Sequence, residues 1–136
     1  MHADTFIKGR LAEFCIREGI DAGGVDKMTA IAHVLRNRVD AGWHGGDWMR
    51  VLETAAEARG TEPPPLPYLN LRDSSVKLFM QRIDDIYHGA AEDETNGALF
   101  YADLHNLTND WFLENVARDP AHHAHVATIG LTTFFG

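Results

Sequence analysis

Asn96-Gly97-Ala98-Leu99-Phe100-Tyr101-Ala102 is the stretch on which the reading of the fold turns. Asn-Gly is a strong turn signal, because both residues tolerate a left-handed backbone. The apolar run behind it is short and reads as a strand. Upstream the apolar period is different. Ile7, Leu11, Phe14, Cys15 and Glu18 recur every three or four positions, which predicts a helix from about Asp4 to Glu18 with Gly19 as its stop. Asp26 is placed to cap a second helix, running to about Asp40, with Met28, Ile31, Val34, Leu35 and Val39 as its stripe. Gly42–Gly46 is a turn carrying Trp43 and His44. A third helix spans Asp47–Ala58, with Val51, Leu52 and Ala55 inward. A fourth, capped by Asp73 or Ser74 and ending near Gly89, uses Val76, Phe79, Met80, Ile83 and Ile86.

Downstream of the 98–102 strand, Asn109 caps a short helix through Ala117, and Asp119-Pro120 breaks it. His125–Ile129 and Leu131–Phe135 supply one or two more strands around Gly130. Helices come first and a small sheet last, so the expected class is α+β, a helical N-terminal half with a small C-terminal antiparallel sheet. Residues 60–70 hold four of the five prolines and form a loop. Neither flank is long enough to fold alone, so residues 1–136 are read as one domain.

Composition narrows the function. The chain has 136 residues, 20 acidic against 12 basic, and 45% hydrophobic residues with a single Cys. The aromatics can supply a core, which argues against disorder. One Cys excludes an intramolecular disulfide framework and a Cys-rich zinc site. With a net charge of −8 and scattered basic residues, no electrostatic footprint for nucleic acid is present. No apolar run approaches the roughly 20 residues that span a bilayer, and the start shows no secretory signal pattern. The chain is expected to be made in the cytoplasm.

Glu18 stands out chemically. It lies on the apolar face of the first helix and at its C-terminal end. Desolvation and the negative end of the helix dipole both disfavour the carboxylate anion there. A carboxyl group that keeps its proton near neutral pH is what a general acid for glycosidic cleavage requires. Periodicity by itself favours the plainer reading, in which Glu18 rims the core and reaches water through its methylenes, because helix ends are usually wet. His122, His123 and His125, with His105 upstream, allow a metal site to be drawn. They follow Asp119-Pro120 in a loop, however, and no His-Glu-x-x-His helix exists, so no metal is expected. Cys15 reads as a small buried hydrophobe. His33 lies beside the stripe of the second helix, in a packing or partly exposed position.

The run Glu18…Ala30-Ile31-Ala32-His33-Val34-Leu35-Arg36-Asn37-Arg38-Val39 resembles the opening of the SleB-type cell wall hydrolases, the spore cortex-lytic enzyme family. Asp93-Glu94-Thr95-Asn96-Gly97-Ala98-Leu99-Phe100-Tyr101 is similar to that family's Asp-x-Thr-x-Gly-Ala segment leading into an aromatic strand. Trp111, Thr128-Ile129-Gly130 and Phe134-Phe135 follow in the family's order, so the resemblance runs through nearly the whole chain.

The resemblance implies cleavage of peptidoglycan glycan strands in lytic transglycosylase or muramidase style, in a lysozyme-like groove, without a cofactor. It gives Glu18 the place of the catalytic acid. Glu18 would protonate the leaving glycosidic oxygen, then accept the proton of the muramic acid C6 hydroxyl as a 1,6-anhydro ring closes. An internal hydroxyl removes the need for the second carboxylate of ordinary glycosidases; if water is used instead, Asp21, Asp26 and Glu94 are candidates. Tyr101 and Trp111 are the expected sugar-binding aromatics, since aromatic faces stack on the apolar faces of sugars. Phe100 and Tyr101 point to opposite sides of a strand, so at most one faces a groove. Asn37 is assigned to the substrate site, with three roles open: touching substrate, orienting Glu18, or, with Arg38, tying the second helix to neighbouring loops. The chain departs from the family pattern at Gly19-Ile20-Asp21 and at 61–67, where a Phe-Ser pair is usual. Those departures leave two rivals: a catalytically silent glycan-binding module, and a metal-dependent hydrolase centred on the His cluster. Without a signal or a separate wall-binding domain, the expectation is a phage-type lysin or an isolated domain that acts at the wall once released.

Overall fold

The computed structural model describes residues 2–19, 24–59, 74–103, 112–129 and 132–136. Four helices, α1 (His2–Gly19), α2 (Gly24–Asp40), α3 (Trp48–Arg59) and α4 (Ser74–Tyr87), precede three strands, β1 (Phe100–Asp103), β2 (His125–Ile129) and β3 (Thr132–Phe135). A 3₁₀ turn, Trp43–Gly46, links α2 to α3, and the described part of the expected short helix, Leu113–Ala117, is a π-helical turn. The expected α+β class is what forms, with helices first and the antiparallel sheet last.

The helix α2 is the centre of the molecule. From Lys27 to Leu35 every residue but Thr29 is buried. A single apolar stripe would bury one face only. Here α1, α3 and α4 pack on one side and β1 and β2 on another. Ile31 and Leu35 therefore join the large core with Leu11, Ile16, Val51 and Phe79. Their sequence neighbours Ala30 and Val34, turned to the next face, join a smaller core with Ala98 and Phe134. Burying each aliphatic side chain contributes about 1.5–3 kcal/mol. α1 is likewise buried continuously from Leu11 to Ile16, including Glu13, whose carboxylate meets Arg10 at 3.3 Å.

Two details differ from the sequence reading. α2 starts at Gly24, two residues before the expected cap; Asp26 is an exposed first-turn acid, where the positive end of the helix dipole favours it. Met80 is 41% exposed, because the buried stripe of α4 is centred on Phe79 and Ile83 and Met80 falls at its edge. His33 is buried, at 4% exposure, which is the packed one of its two expected positions. The expected inward residues of α3 are all buried, and Asp47 caps the helix by accepting the Met49 backbone N–H at 3.0 Å.

The sheet has the order β1-β3-β2, antiparallel throughout. Phe100 pairs with Phe135 and Tyr101 with Phe134, while an irregularity between His125 and Ala127 shifts the register on β2. Asn96 and Gly97 both adopt the left-handed backbone, with φ of 56° and 82°, which delivers the chain into β1.

Candidate functional site

Glu18 occupies the last turn of α1 and is half-buried. Cys15, one turn earlier, is fully buried; burial and then the nearby Glu18 charge push its thiol well above the ordinary range. Such a thiol is no nucleophile. Asp21, in the segment that follows Glu18, lies outside the described residues, as do Trp111 and His105.

Asp93 is the hub that joins the separated segments. Its Oδ1 accepts hydrogen bonds from the Thr95 backbone N–H at 2.8 Å and the Thr95 hydroxyl at 2.6 Å. Its Oδ2 accepts from the Gly97 N–H at 2.9 Å and from Asn37 Nδ2 at 2.8 Å. Burial works to raise this carboxyl, but the four donors outweigh it and hold it below the usual carboxylate range. Asn37 Nδ2 also donates to the Ala98 carbonyl at 3.0 Å, and Arg38 Nε donates to the Leu99 carbonyl at 2.8 Å. The two residues thus tie α2 to the 93–99 segment, which was one of the roles read from the sequence. Both amide hydrogens of Asn37 are used in that tie; a contact with substrate would fall to its carbonyl oxygen.

Tyr101 on β1 is half-buried, packs against both cores and has its ring 6.1 Å from that of Phe134. Glu18 and Tyr101 stand on elements that both pack against α2. Phe100 meets different neighbours, as alternation along a strand requires. It contacts the edges of Trp43 at 5.4 Å and His123 at 4.9 Å. The Arg38 guanidinium lies 4.8 Å from the Trp43 ring centre and 5.8 Å from that of Phe100. Desolvation lowers the Arg38 pKa, opposed by Tyr101. This stack of cation on aromatic faces was not read from the sequence.

The histidine cluster disperses. His122 pairs with Asp119 at 3.0 Å, His123 Nδ1 meets the Gly136 carbonyl at 2.9 Å, and His125 Nε2 meets Thr128 Oγ1 at 2.8 Å. Among the described residues no three His, Cys, Asp or Glu side chains are arranged to hold a metal ion.

A pocket of about 290 Å³ opens between α2, α4 and the turn at 91–94. Asp26 and Glu94, both named above as second-acid candidates, line it together, with His33. Burial lowers the His33 pKa, partly offset by Asp93 and then Glu94. His33 stands beside the apolar stripe yet is buried, because α2 is packed on more faces than one stripe describes. The Asp93-x-Thr95 spacing was a readable signal for a local carboxylate cap, but its partner Asn37, 56 residues away, was not. No helix among the described residues is long and apolar enough to cross a membrane. No protein-family model, curated protein or solved structure matches this chain.

Proposed function

We propose that the chain cleaves the glycan strands of peptidoglycan, with Glu18 as general acid and base, in a lysozyme-like groove between the helices and the C-terminal strands. The observation that carries this reading is that the segments on which the SleB-type resemblance rests form one structural unit. Asn37 and Arg38 of the Asn-Arg-Val run grip Asp93, Ala98 and Leu99 of the Asp-x-Thr-x-Gly-Ala segment. A chance likeness of two distant segments would not require them to bond. Glu18 is half-buried in the last turn of α1, a helix that packs against α2, the same helix that carries Asn37 and Arg38.

The chemistry needs one carboxyl group. Glu18 donates its proton to the glycosidic oxygen as the bond to C1 of muramic acid breaks. The carboxylate then takes the proton of the C6 hydroxyl while O6 attacks C1, which closes the anhydro ring and regenerates the acid. In this proposal Tyr101 and Trp111 stack against sugar rings, and Asn37 fixes the groove wall through its tie to Asp93.

The test is mass-spectrometric profiling of purified peptidoglycan after digestion by wild type and by Glu18→Gln, whose amide is the same shape but delivers no proton. Anhydromuropeptides from wild type alone, with an unchanged melting temperature in the variant, are expected. Cleavage retained by the variant overturns the role of Glu18. Reducing ends without the anhydro ring keep the cleavage but require water and a second carboxylate. No product from either protein leaves the glycan-binding module, which a peptidoglycan pull-down then measures.

A further inference from the structure

The guanidinium of Arg38 carries more than its tie to the 93–99 segment requires. Its Nε donates to the Leu99 carbonyl at 2.8 Å, a bond that a neutral donor would serve as well. Its Nη1 and Nη2 make no hydrogen bond and no ion pair with the described residues, and neither is shut away from water. The N–H groups on those two nitrogens stand unused. The chain is not short of acids that could answer them, with 20 acidic residues against 12 basic. Arg36 pairs with Asp40 at 2.9 Å, Arg10 with Glu13 at 3.3 Å, and Arg82 lies 3.7 Å from Asp26. Arg38 has aromatic rings in that place.

Those rings make the missing acid costly. The Trp43 ring centre lies 4.8 Å from the guanidinium carbon and that of Phe100 lies 5.8 Å away. Trp43 and Phe100 meet each other at 5.4 Å, and His123 stands 4.9 Å from Phe100. Rings displace water from a cation; attraction to their faces returns part of the lost hydration and leaves the charge unneutralised. Burial works against the charged form here, and the group that opposes it is Tyr101, not a carboxylate. Trp43, Phe100 and Tyr101 are all half-buried, so the cluster keeps an open side.

We infer that this edge of β1 binds a carboxylate, its two oxygens accepting hydrogen bonds from Nη1 and Nη2 of Arg38 and its neighbouring carbon atoms lying on Trp43 and Phe100. A planar carboxylate matches the planar fork, oxygen for nitrogen. A multiply charged anion such as phosphate suits the site less, because a chain of net charge −8 repels it more strongly. The rings then gain apolar contact beside the ion pair instead of facing water. The inference stands whether or not the chain cleaves glycan.

The carboxylate has two sources, a peptide or a sugar acid. NMR titration of the full chain at constant ionic strength, following the Arg38 Nε–H and the Trp43 indole N–H, separates them. N-acetylalanine and glucuronate are the probes, and N-acetylalanine methylamide is the uncharged control. Saturable shifts of both resonances with a carboxylate, and none with the methylamide, are expected; the tighter of the two carboxylates assigns the source. Arg38→Lys keeps the charge but loses the fork, and should weaken binding about tenfold. Trp43→Leu leaves the bond to Leu99 untouched and should weaken binding by about threefold, which keeps the test open where Arg38→Lys does not fold. No saturable shift with either carboxylate, an equal response to the methylamide, inorganic phosphate binding more tightly than both probes, or unchanged affinity in a folded variant would each overturn the assignment.

Discussion

Asp93 and His33 sit within 3.9 Å of each other and respond to acid in separate windows. Burial pushes the His33 pKa below the ordinary 6.5, so the unfolded chain takes up this proton before the folded one does. Stability should therefore fall as pH drops through about 6.5, while Asp93 is still ionised. The Asp93 carboxyl is held below its usual value near 3.9, so its contribution persists above that value and is lost only as pH falls further, through the folded pKa. Urea titrations at pH 7 and pH 5 check the first window: wild type should lose stability between them, and His33→Gln should lose less. Equal losses would remove His33 as the cause. Asp93→Asn checks the hub directly. An amide nitrogen placed where Oδ1 or Oδ2 now accepts would face a donor, so the variant should cost about 2 kcal/mol by urea unfolding at pH 7. The Asp-x-Thr cap was legible as a local pattern. Its partner was not, because hydrogen bonds across 56 residues leave no periodic trace.

At the scale of elements, the helices were the most legible part, since each carries an apolar face at helical spacing. The difference lies in how much of each helix is buried. α1 and α2 bury residues such as Glu13, Lys27 and His33 that no stripe would select, because neighbours cover them from several sides. α4 shows the reverse, leaving Met80 and Leu78 exposed. Its end is fixed at Gly89, whose φ of 73° is left-handed. A Cβ there would stand 3.0 Å from Arg36 Nη2. That guanidinium is not free to move aside: its Nη1 donates to the Tyr87 carbonyl at 2.6 Å and its Nη2 lies 2.9 Å from Asp40. Gly89→Ala thus adds backbone strain to a crowded, anchored neighbour, and should destabilise by more than the roughly 1 kcal/mol expected of a left-handed alanine alone. Met80→Ala on the same helix should stay within about 0.5 kcal/mol of wild type, as exposed positions do. Thermal melts of the two variants side by side measure both, and a costly Met80→Ala would mean that a partner covers that face.

At the scale of the whole molecule, the arrangement is a helical core with a small sheet docked on one side of α2. Three strands of four or five residues have little stability of their own, so the sheet depends on what it leans against. That support is narrow: Ala30 and Val34 against Ala98 and Phe134, reinforced by the bonds from Asn37 and Arg38. The helices have a separate and larger core. Removing the tie should loosen the sheet before the helices, because free energies of local opening follow the contacts each unit makes. Asn37→Ala leaves Asp93 short of one donor and the Ala98 carbonyl without its amide partner, a loss of about 2 kcal/mol concentrated at the docking face. Native-state hydrogen exchange should then show the amides of β1 and β3 losing protection by about that amount, while those of α1 and α3 keep theirs. If protection falls equally everywhere, sheet and helices open as one unit and α2 is a shared core instead of a hinge between two. The outcome also bears on the proposed groove. Tyr101 rides on β1 and Glu18 on α1, so a sheet that opens first would carry the proposed sugar-stacking aromatic away from the acid while leaving the acid in place.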